Sequence, residues 1–345
     1  MHDFALLGPQ YRDPNLRECL AVLGVRGRLV TITAGWQERE GEIDELRAHV
    51  GPAHEVVDLA LYARTQQVYA DDPALAGAYR ERQELLQELQ DHYVRRLRAL
   101  KAAEEELHAL PGDGGALRLA RRAALGDIRR LDRQHLATIV REHAAFTREW
   151  HPARRASLVP HVSEIRREIE RASAVLIAGG HVAVLLNRLR LFGLGSLLRD
   201  RPLVAWSAGA MAIAERVVLF HDRTPQGIAY SEVLDEGLGL VRGLQPLPHA
   251  DTRFALDVPA RVRSFARRFA PSRCLALDHG TLARWHRGRL VEARGLRRLT
   301  RSGRVVAEHA HGHGHGHGSG APATGDGGTD AAGAAGAAGA AGAAT

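Results

Sequence analysis

Residues 202–211 read PLVAWSAGAM, and this segment carries the strongest indication of fold in the chain. Pro202–Trp206 is a short apolar run of the kind that forms a buried parallel strand. The run passes directly into Ser207, which is followed by small residues and a helix-forming segment. Because a strained strand-to-helix turn tolerates only small neighbours, the pattern predicts a nucleophile elbow at Ser207, although Ala205 replaces its usual first glycine. The simpler alternative is a buried serine at a tight turn.

Strands and helices alternate on both sides of this turn. Arg28–Ala34 and His54–Tyr62 are predicted strands, separated by a helical segment over Glu38–Val50. Ala174–Ala178 is another apolar strand, and it ends in a pair of glycines. The alternation predicts an α/β fold with a doubly wound, mostly parallel sheet that is flanked by helices.

The alternation stops between about Asp72 and Trp150, where two long helical segments flank the breaker PGDGG at residues 111–115. This pattern predicts an antiparallel helical hairpin over residues 66–154, inserted into a discontinuous core of residues 1–65 and 155–308. The hairpin either buries its apolar stripes within itself or serves as an arm for oligomerisation or for a protein partner.

The end of the chain has a different composition. Residues 309–345 contain no large apolar side chain, so we expect a disordered tail. Imidazoles stand at alternate positions in it: His309, His311, His313, His315 and His317. Such imidazoles can chelate Ni²⁺, Cu²⁺ or Zn²⁺, but a flexible tract does not fix an open catalytic site. We therefore expect neither a catalytic metal nor a cofactor in the core.

Composition excludes several classes of protein. The net charge is +7, and all basic residues except Lys101 are arginines spread along the chain, whereas nucleic-acid binding usually shows a basic stripe or cluster. No apolar run approaches the roughly 18 residues of a transmembrane helix. The N-terminus lacks the pattern of a signal peptide, and Cys19 and Cys274 form no disulfide framework. We expect a cytoplasmic protein that binds neither a membrane nor nucleic acid.

The glycine pair Gly179-Gly180 ends the strand that precedes the Ser207 strand. Adjacent strand ends line one crevice in a doubly wound sheet. The backbone N–H groups of Gly180 and Ala208 would then form an oxyanion hole. The alternative is that the glycines only permit a tight turn.

The order strand, Gly-Gly, helix, strand, WSAGA resembles that of dipeptidase E, cyanophycinase and their relatives. These are serine hydrolases on a class I glutamine amidotransferase-like fold. The similarity covers roughly Asp3–Tyr62 and Ser163–Val306, and WSAGAM is its most specific part. It implies a catalytic histidine in a segment ending in Pro-His, which is His249 here. It also implies a serine peptidase or amidase that works through an acyl-enzyme, with a histidine as base and an aspartate that orients it.

Three aspartates are candidates for that acid. Asp222 resembles the dipeptidase E acid and ranks first. Asp278 ranks second, and it precedes His279, where cyanophycinase-like members carry a glutamate. Asp251 ranks third, because its place two residues after His249 matches the H-x-E order of glutamine amidotransferases. The missing glutamate speaks against cyanophycinase-like activity.

The resemblance to dipeptidase E implies a short peptide with an acidic first residue as the substrate. Arg216, Arg223 and Arg253 are candidates to bind a substrate carboxylate, although a given arginine is more often a solvated surface residue. His181 either contacts substrate or caps the following helix. The alternative function is a catalytically silent ligand-binding or scaffold protein on the same fold, which uses the helical arm for partner contact.

Overall fold

The computed structural model describes residues 3–221 and 230–310. Over these ranges, strands alternate with helices on either side of two long helices. The strands are β1 (Phe4–Leu7), β2 (Gly27–Ile32), β3 (His54–Asp58), β4 (Ala174–Ile177), β5 (Leu203–Trp206), β6 (Arg216–Leu219), β7 (Glu232–Glu236), β8 (Leu244–Pro248), β9 (Arg273–Leu277), β10 (Leu282–His286), β11 (Arg289–Arg294), β12 (Arg297–Leu299) and β13 (Val305–Ala307). The α-helices are α1 (Leu16–Val22), α2 (Asp44–Val50), α3 (Leu61–Asp71), α4 (Pro73–Ala109), α5 (Gly115–Trp150), α6 (Val159–Arg171), α7 (Val182–Leu191), α8 (Leu194–Leu197), α9 (Ala208–Ala212), α10 (Ala250–Arg253) and α11 (Pro259–Arg268). Short 3-10 helices span Ala34–Arg39 and Pro152–Arg154.

The central sheet has seven strands in the order β11-β10-β1-β5-β4-β2-β3. The five strands from β1 to β3 in this order are parallel, whereas β10 and β11 add an antiparallel edge. Every residue of β1, β4 and β5 is buried, as expected for parallel strands that are covered on both faces. The predicted mixed α/β architecture with a large central sheet and helices is therefore confirmed.

A second sheet, which the sequence analysis missed, contains four strands in the order β13-β12-β9-β8. Strand β8 pairs in parallel with β9 and forms an edge of this sheet. It contains Pro246 and Pro248, which have no N–H to donate and therefore suit an edge strand. The predicted helix over Glu38–Val50 also begins later than expected, because the 3-10 helix occupies its first residues and α2 starts at Asp44.

The two long helices, α4 and α5, lie side by side and are called the α4–α5 pair below. Tyr79 packs its ring edge-on against Phe146, with 4.6 Å between the ring centroids. At the other end of the pair, the Arg121 guanidinium donates to the carbonyl of Leu107 at 2.9 Å. The start of each helix thus contacts the end of the other, so the two run in opposite directions.

A buried arginine fastens the α4–α5 pair to α11. The Arg268 guanidinium donates two hydrogen bonds of 2.7 Å to the carboxylate of Asp132. It also donates to the Tyr93 hydroxyl at 2.8 Å and to the Ser231 carbonyl at 2.7 Å. The described residues accordingly fall into one compact unit. The predicted boundaries between core, insertion and tail stay predictions, as does the use of the helices for partner contact.

The helices of residues 3–221 and 230–310 include none with the length and apolar character that crossing a membrane requires.

Candidate active site

Ser207 occupies the turn between β5 and α9 with φ 49° and ψ −123°. A positive φ costs a residue with a side chain about 1–3 kcal/mol. The surrounding positions leave no space for side chains. A Cβ on Gly209 would lie 2.2 Å from the Ile177 carbonyl oxygen, and one on Gly179 would lie 2.8 Å from Ser207 Cβ. The small residues around Ser207 therefore have a steric cause.

His249 follows β8 and reaches the same point from the second sheet. Its Nε2 lies 3.1 Å from Ser207 Oγ, within hydrogen-bond distance. The backbone of His249 is left-handed, with φ 56° and ψ 37°, and its N–H donates to the Leu277 carbonyl at 3.1 Å. The structure thus brings together the two residues that the sequence predicted as nucleophile and base.

The surroundings keep the His249 ring neutral. Burial lowers the pKa of His249 to about 4, the electrostatic effects of Arg253 and His279 contribute to this lowering, and Asp278 opposes it. A neutral imidazole can accept a proton at physiological pH. Its Nε2 faces the Ser207 hydroxyl, so the ring is placed to act as a general base.

The three candidate acids differ in their placement. Asp278 follows β9, whose last residue pairs in register with Pro248. Asp278 is buried, and its carboxylate accepts hydrogen bonds from Asp251 N at 2.9 Å and from Arg297 at 2.5 Å. Within residues 3–221 and 230–310, the His249 ring hydrogen-bonds Ser207 and no carboxylate.

Of the two described candidates, Asp278 is the one whose charge raises the pKa of His249. The other, Asp251, is exposed. Burial and the neighbouring Asp278 raise the pKa of the Asp251 carboxyl. Asp222 lies outside the described residues, so its rank stays a prediction.

The two residues predicted to supply the oxyanion-hole N–H groups are Ala208, which follows Ser207, and Gly180, which lines the same cleft as Ser207. Gly180 has φ 103°, and a Cβ there would lie 2.3 Å from the Gly35 carbonyl oxygen. The neighbouring Gly179 packs against the turn, since its Cβ position is 3.8 Å from Ala208 N. Among the described residues, no acceptor takes the N–H of Gly180 or of Ala208.

A cleft of about 450 Å³ opens over Ser207 and is called the Ser207 cleft below. Its charged lining is balanced in number, with two arginines, Arg39 and Arg253, and two glutamates, Glu42 and Glu45. Arg39 donates to Glu42 at 2.6 and 2.8 Å. The Arg253 side chain is exposed and hydrogen-bonds none of the described residues. Arg253 is therefore a cation that is available to a ligand.

Two aromatic residues, Tyr11 and Trp36, also line the cleft, and the sequence did not indicate them as site residues. The Tyr11 hydroxyl lies 3.0 Å from His279 Nε2, and its ring lies 6.1 Å from the His249 ring. Tyr11 follows β1 and Trp36 follows β2, both parallel to the Ser207 strand. Because the carboxyl ends of parallel strands share one edge, residues after every predicted strand could have been tested as cleft residues.

Other predicted contributors lie elsewhere. His181 caps α7, because its Nδ1 accepts from Val184 N at 3.3 Å. Arg216 donates to the Phe269 carbonyl at 3.1 Å and to Ser272 at 2.9 Å, and it does not line the Ser207 cleft. Arg223 lies outside the described residues.

Among the described residues, neither the two thiols nor a cluster of possible metal ligands supplies a competing centre. Burial raises the pKa of both Cys19 and Cys274 to about 12, so neither forms the nucleophilic thiolate near neutral pH. In the part of the chain that the structure describes, no group of three or more His, Cys, Asp or Glu residues could hold a metal ion. The tail histidines from His311 onward lie beyond that part.

Comparison with known proteins agrees with the resemblance seen in the sequence. Residues 142–291, which include both Ser207 and His249, match the sequence model of peptidase family S51. The resemblance to the dipeptidase E family is thereby confirmed, and the match supports a peptidase function. No curated protein matches the chain.

Two solved structures that match the chain are described as peptidases. One is a peptidase from an acI-B1 Actinobacterium, at 13% identity and a TM-score of 0.41, covering 89% of this chain and 97% of that one. The other is described as a peptidase E protein from Listeria monocytogenes EGD-e, at 10% identity and a TM-score of 0.39, covering 87% of this chain and 100% of that one.

Proposed function

Since residues 142–291 match peptidase family S51, we propose that this protein is a serine peptidase that cleaves a peptide or amide bond with Ser207 as nucleophile. The observation that carries the proposal is the 3.1 Å distance between Ser207 Oγ and His249 Nε2, at a strained turn that opens into a cleft. The fold that goes with it is the class I glutamine amidotransferase-like fold, with the α4–α5 pair as an inserted helical hairpin.

In the first half of the reaction, His249 Nε2 takes the proton of the Ser207 hydroxyl as Oγ attacks the substrate carbonyl carbon. The carbonyl oxygen becomes negatively charged in the tetrahedral intermediate. The N–H groups of Gly180 and Ala208, which have no acceptor among the described residues, donate to this oxygen. The Ser207 turn thus supplies both the nucleophile and one stabilising donor.

In the second half, His249 returns the proton to the leaving amine nitrogen, and the C–N bond breaks to leave an acyl-enzyme on Ser207. Water then attacks the ester carbon while His249 takes a proton from it, and Ser207 leaves with that proton. An imidazolium forms twice in this cycle. We assign its stabilisation to Asp278, because the charge of this carboxylate already raises the pKa of His249.

The substrate side of the proposal is a short peptide with an acidic first residue. Arg253 supports it, because this cation is exposed, lines the Ser207 cleft and has no hydrogen-bond partner among the described residues. A guanidinium binds a carboxylate through two parallel hydrogen bonds. The other arginine of the cleft, Arg39, is already paired with Glu42.

The test is hydrolysis of matched dipeptides, Asp-Leu and Asn-Leu, which differ in one charge at nearly constant shape. We expect the wild-type protein to prefer Asp-Leu, Ser207→Ala to cleave neither, and Arg253→Gln to lose the preference. Arg133→Gln, an exposed change on α5, serves as the matched control. Cleavage of Asp-Leu by Ser207→Ala at the wild-type rate would overturn the proposal.

A further inference from the structure

A second cavity, of about 580 Å³, lies between the α4–α5 pair and α11. It shares no lining residue with the Ser207 cleft. The end of α4, the start of α5 and one side of α11 contribute its walls. Its most frequent lining residue is arginine, at Arg118, Arg121, Arg122, Arg261, Arg263 and Arg267. It is called the arginine cavity below.

The charges of the arginine cavity do not balance. The six arginines and Lys101 make seven cations, against three carboxylates, so four positive charges are in excess. The Ser207 cleft, by contrast, has two arginines and two glutamates. Charges of one sign that line a low-dielectric concavity focus the field and attract counter-ions.

Each carboxylate of the arginine cavity already has a cation of its own. Glu104 pairs with Lys101, and the Ser264 hydroxyl donates to it at 3.1 Å. Glu105 accepts from Arg261 at 3.3 Å. The third carboxylate, on Asp113, lies 3.6 Å from Arg118 and 3.7 Å from Arg121. Three of the four excess charges therefore reside on Arg122, Arg263 and Arg267, and the fourth arises because Arg118 and Arg121 share one carboxylate.

Two of those arginines are held in place by neutral acceptors. Arg263 Nε donates to the Ser302 carbonyl at 3.3 Å, and Arg267 Nε donates to the Arg301 carbonyl at 3.1 Å. These bonds orient the guanidinium groups without neutralising them. Arg122 is exposed and hydrogen-bonds none of the residues that the structure describes. The cavity thus presents positioned donors whose charge has no carboxylate partner.

A neighbouring imidazole responds to this excess charge. Burial lowers the pKa of His108, and the charges of Arg121, Arg267 and Arg263 lower it further against the opposing effect of Glu104. His108 lines the same cavity. A bound anion would oppose the effect of the arginines and raise the pKa of His108, so this pKa reports whether an anion occupies the cavity.

We propose that the arginine cavity binds a small, multiply charged anion of the di- or triphosphate class. Planar guanidinium groups present paired donors that match phosphate oxygens. A single carboxylate would leave most of the four excess charges in place, whereas a polyphosphate neutralises them together. Binding there gives the α4–α5 pair a role that peptide cleavage at Ser207 does not require.

The experiment titrates the full-length protein with inorganic tripolyphosphate by calorimetry, at an ionic strength held constant with sodium chloride. We expect saturable binding at one site, and an affinity at least about tenfold weaker in Arg122→Glu, since a lost charge-assisted hydrogen bond is worth about one such factor. Arg133→Glu makes the same charge change elsewhere on α5 and should alter the affinity less than about twofold. Equal losses in the two variants would overturn the proposal, as would absence of saturable binding.

Two further readouts sharpen this result. Parallel titration with ATP distinguishes two classes of ligand for the cavity. Binding of both ATP and tripolyphosphate indicates a nucleotide, whereas binding of tripolyphosphate alone indicates an inorganic polyphosphate. Proton NMR of His108 should show a pKa that rises when tripolyphosphate is added to the wild-type protein. A His108 pKa that does not move at saturating anion would place the bound anion elsewhere and contradict the proposal.

Discussion

The Ser207 cleft and the arginine cavity place charged side chains in opposite ways. In the Ser207 cleft, the chemistry depends on backbone geometry at strand ends, with Ser207 at φ 49° and His249 at φ 56°, and the charges around them balance. In the arginine cavity, helix faces position every lining residue except Asp113, which lies in the α4–α5 connection, and four positive charges are in excess. Positioning within a few tenths of an ångström suits bond breaking, whereas excess charge suits the binding of an anion.

The largest expected effect is on peptidase activity at the Ser207 cleft, and it comes from replacing the acid beside His249. Asp278→Asn removes the negative charge that opposes the lowering of the His249 pKa, so the imidazolium of the transition state loses stabilisation. We expect kcat to fall by about 10²-fold or more, since exchanging the acid of a serine triad for its amide costs up to about 10⁴-fold.

Asp251→Asn and Asp222→Asn are the matched controls for this variant. We expect both to retain most of the activity, and all three variants to bind tripolyphosphate as the wild-type protein does. Full activity in Asp278→Asn with a large loss in Asp222→Asn would contradict the assignment of Asp278 and support the first rank that the sequence gives to Asp222.

The next effect concerns the attachment of the α4–α5 pair to the core. Arg268→Met leaves the Asp132 carboxylate without its partner in a buried site, which should lower the free energy of unfolding by about 3–5 kcal/mol. Urea denaturation measures the change. The double variant Arg268→Met/Asp132→Leu should recover most of the loss, because it removes both charges. A double variant as unstable as the single one would show that packing, and not the buried charge, is responsible.

The sequence predicted those structural features that residues close together in the chain determine. The strand, the serine and the small residues at 202–211 interact within one turn, so their pattern alone indicated the Ser207 geometry. His249 was proposed as the base only through the resemblance of the Pro-His segment to a family, and its catalytic role stays a prediction. Its 3.1 Å distance from Ser207 depends on β8 joining a second sheet that the sequence did not indicate.

The sequence could not rank the candidate acids or indicate the buried ion pair, because both depend on contacts between distant segments. Asp278 lies beside His249 because β8 and β9 pair in parallel, and the register of that pairing is not visible in either segment. Arg268 meets Asp132 across 136 positions, and the chain contains many other arginines of similar context. Local periodicity carries no information on which of these charges becomes buried.

Two glycine-to-alanine variants, one beside Ser207 and one in α5, compare how much space each region leaves for an added methyl group. Gly209→Ala places a Cβ 2.2 Å from the Ile177 carbonyl oxygen, so the turn must shift. We expect a loss of about 1–3 kcal/mol in stability together with a loss of peptidase activity. Gly126→Ala in α5 meets nothing within 4 Å and should stabilise the protein by about 0.5–1 kcal/mol. Thermal unfolding measures both changes, and equal shifts in melting temperature would argue against a sterically restricted turn.

The smallest effect is expected from acidification. Burial lowers the pKa of His249 to about 4, and the base must be neutral to act, so activity should fall only as the pH drops through that value. Between roughly pH 7 and 5 we expect kcat/KM to change less than about twofold, where an imidazole of ordinary pKa near 6.5 would lose more than about tenfold. A rate profile on a neutral substrate measures it, and a midpoint near pH 6.5 would show that the ring is solvated.

Labelling of the purified protein with a fluorophosphonate, followed by mass spectrometry of the modified peptide, tests whether Ser207 is an activated nucleophile. We expect one adduct, on Ser207, which is absent in Ser207→Ala and forms much more slowly in His249→Gln. Folded wild-type protein that takes up no label, or labelling that persists in Ser207→Ala, would contradict the assignment of Ser207 as an activated nucleophile.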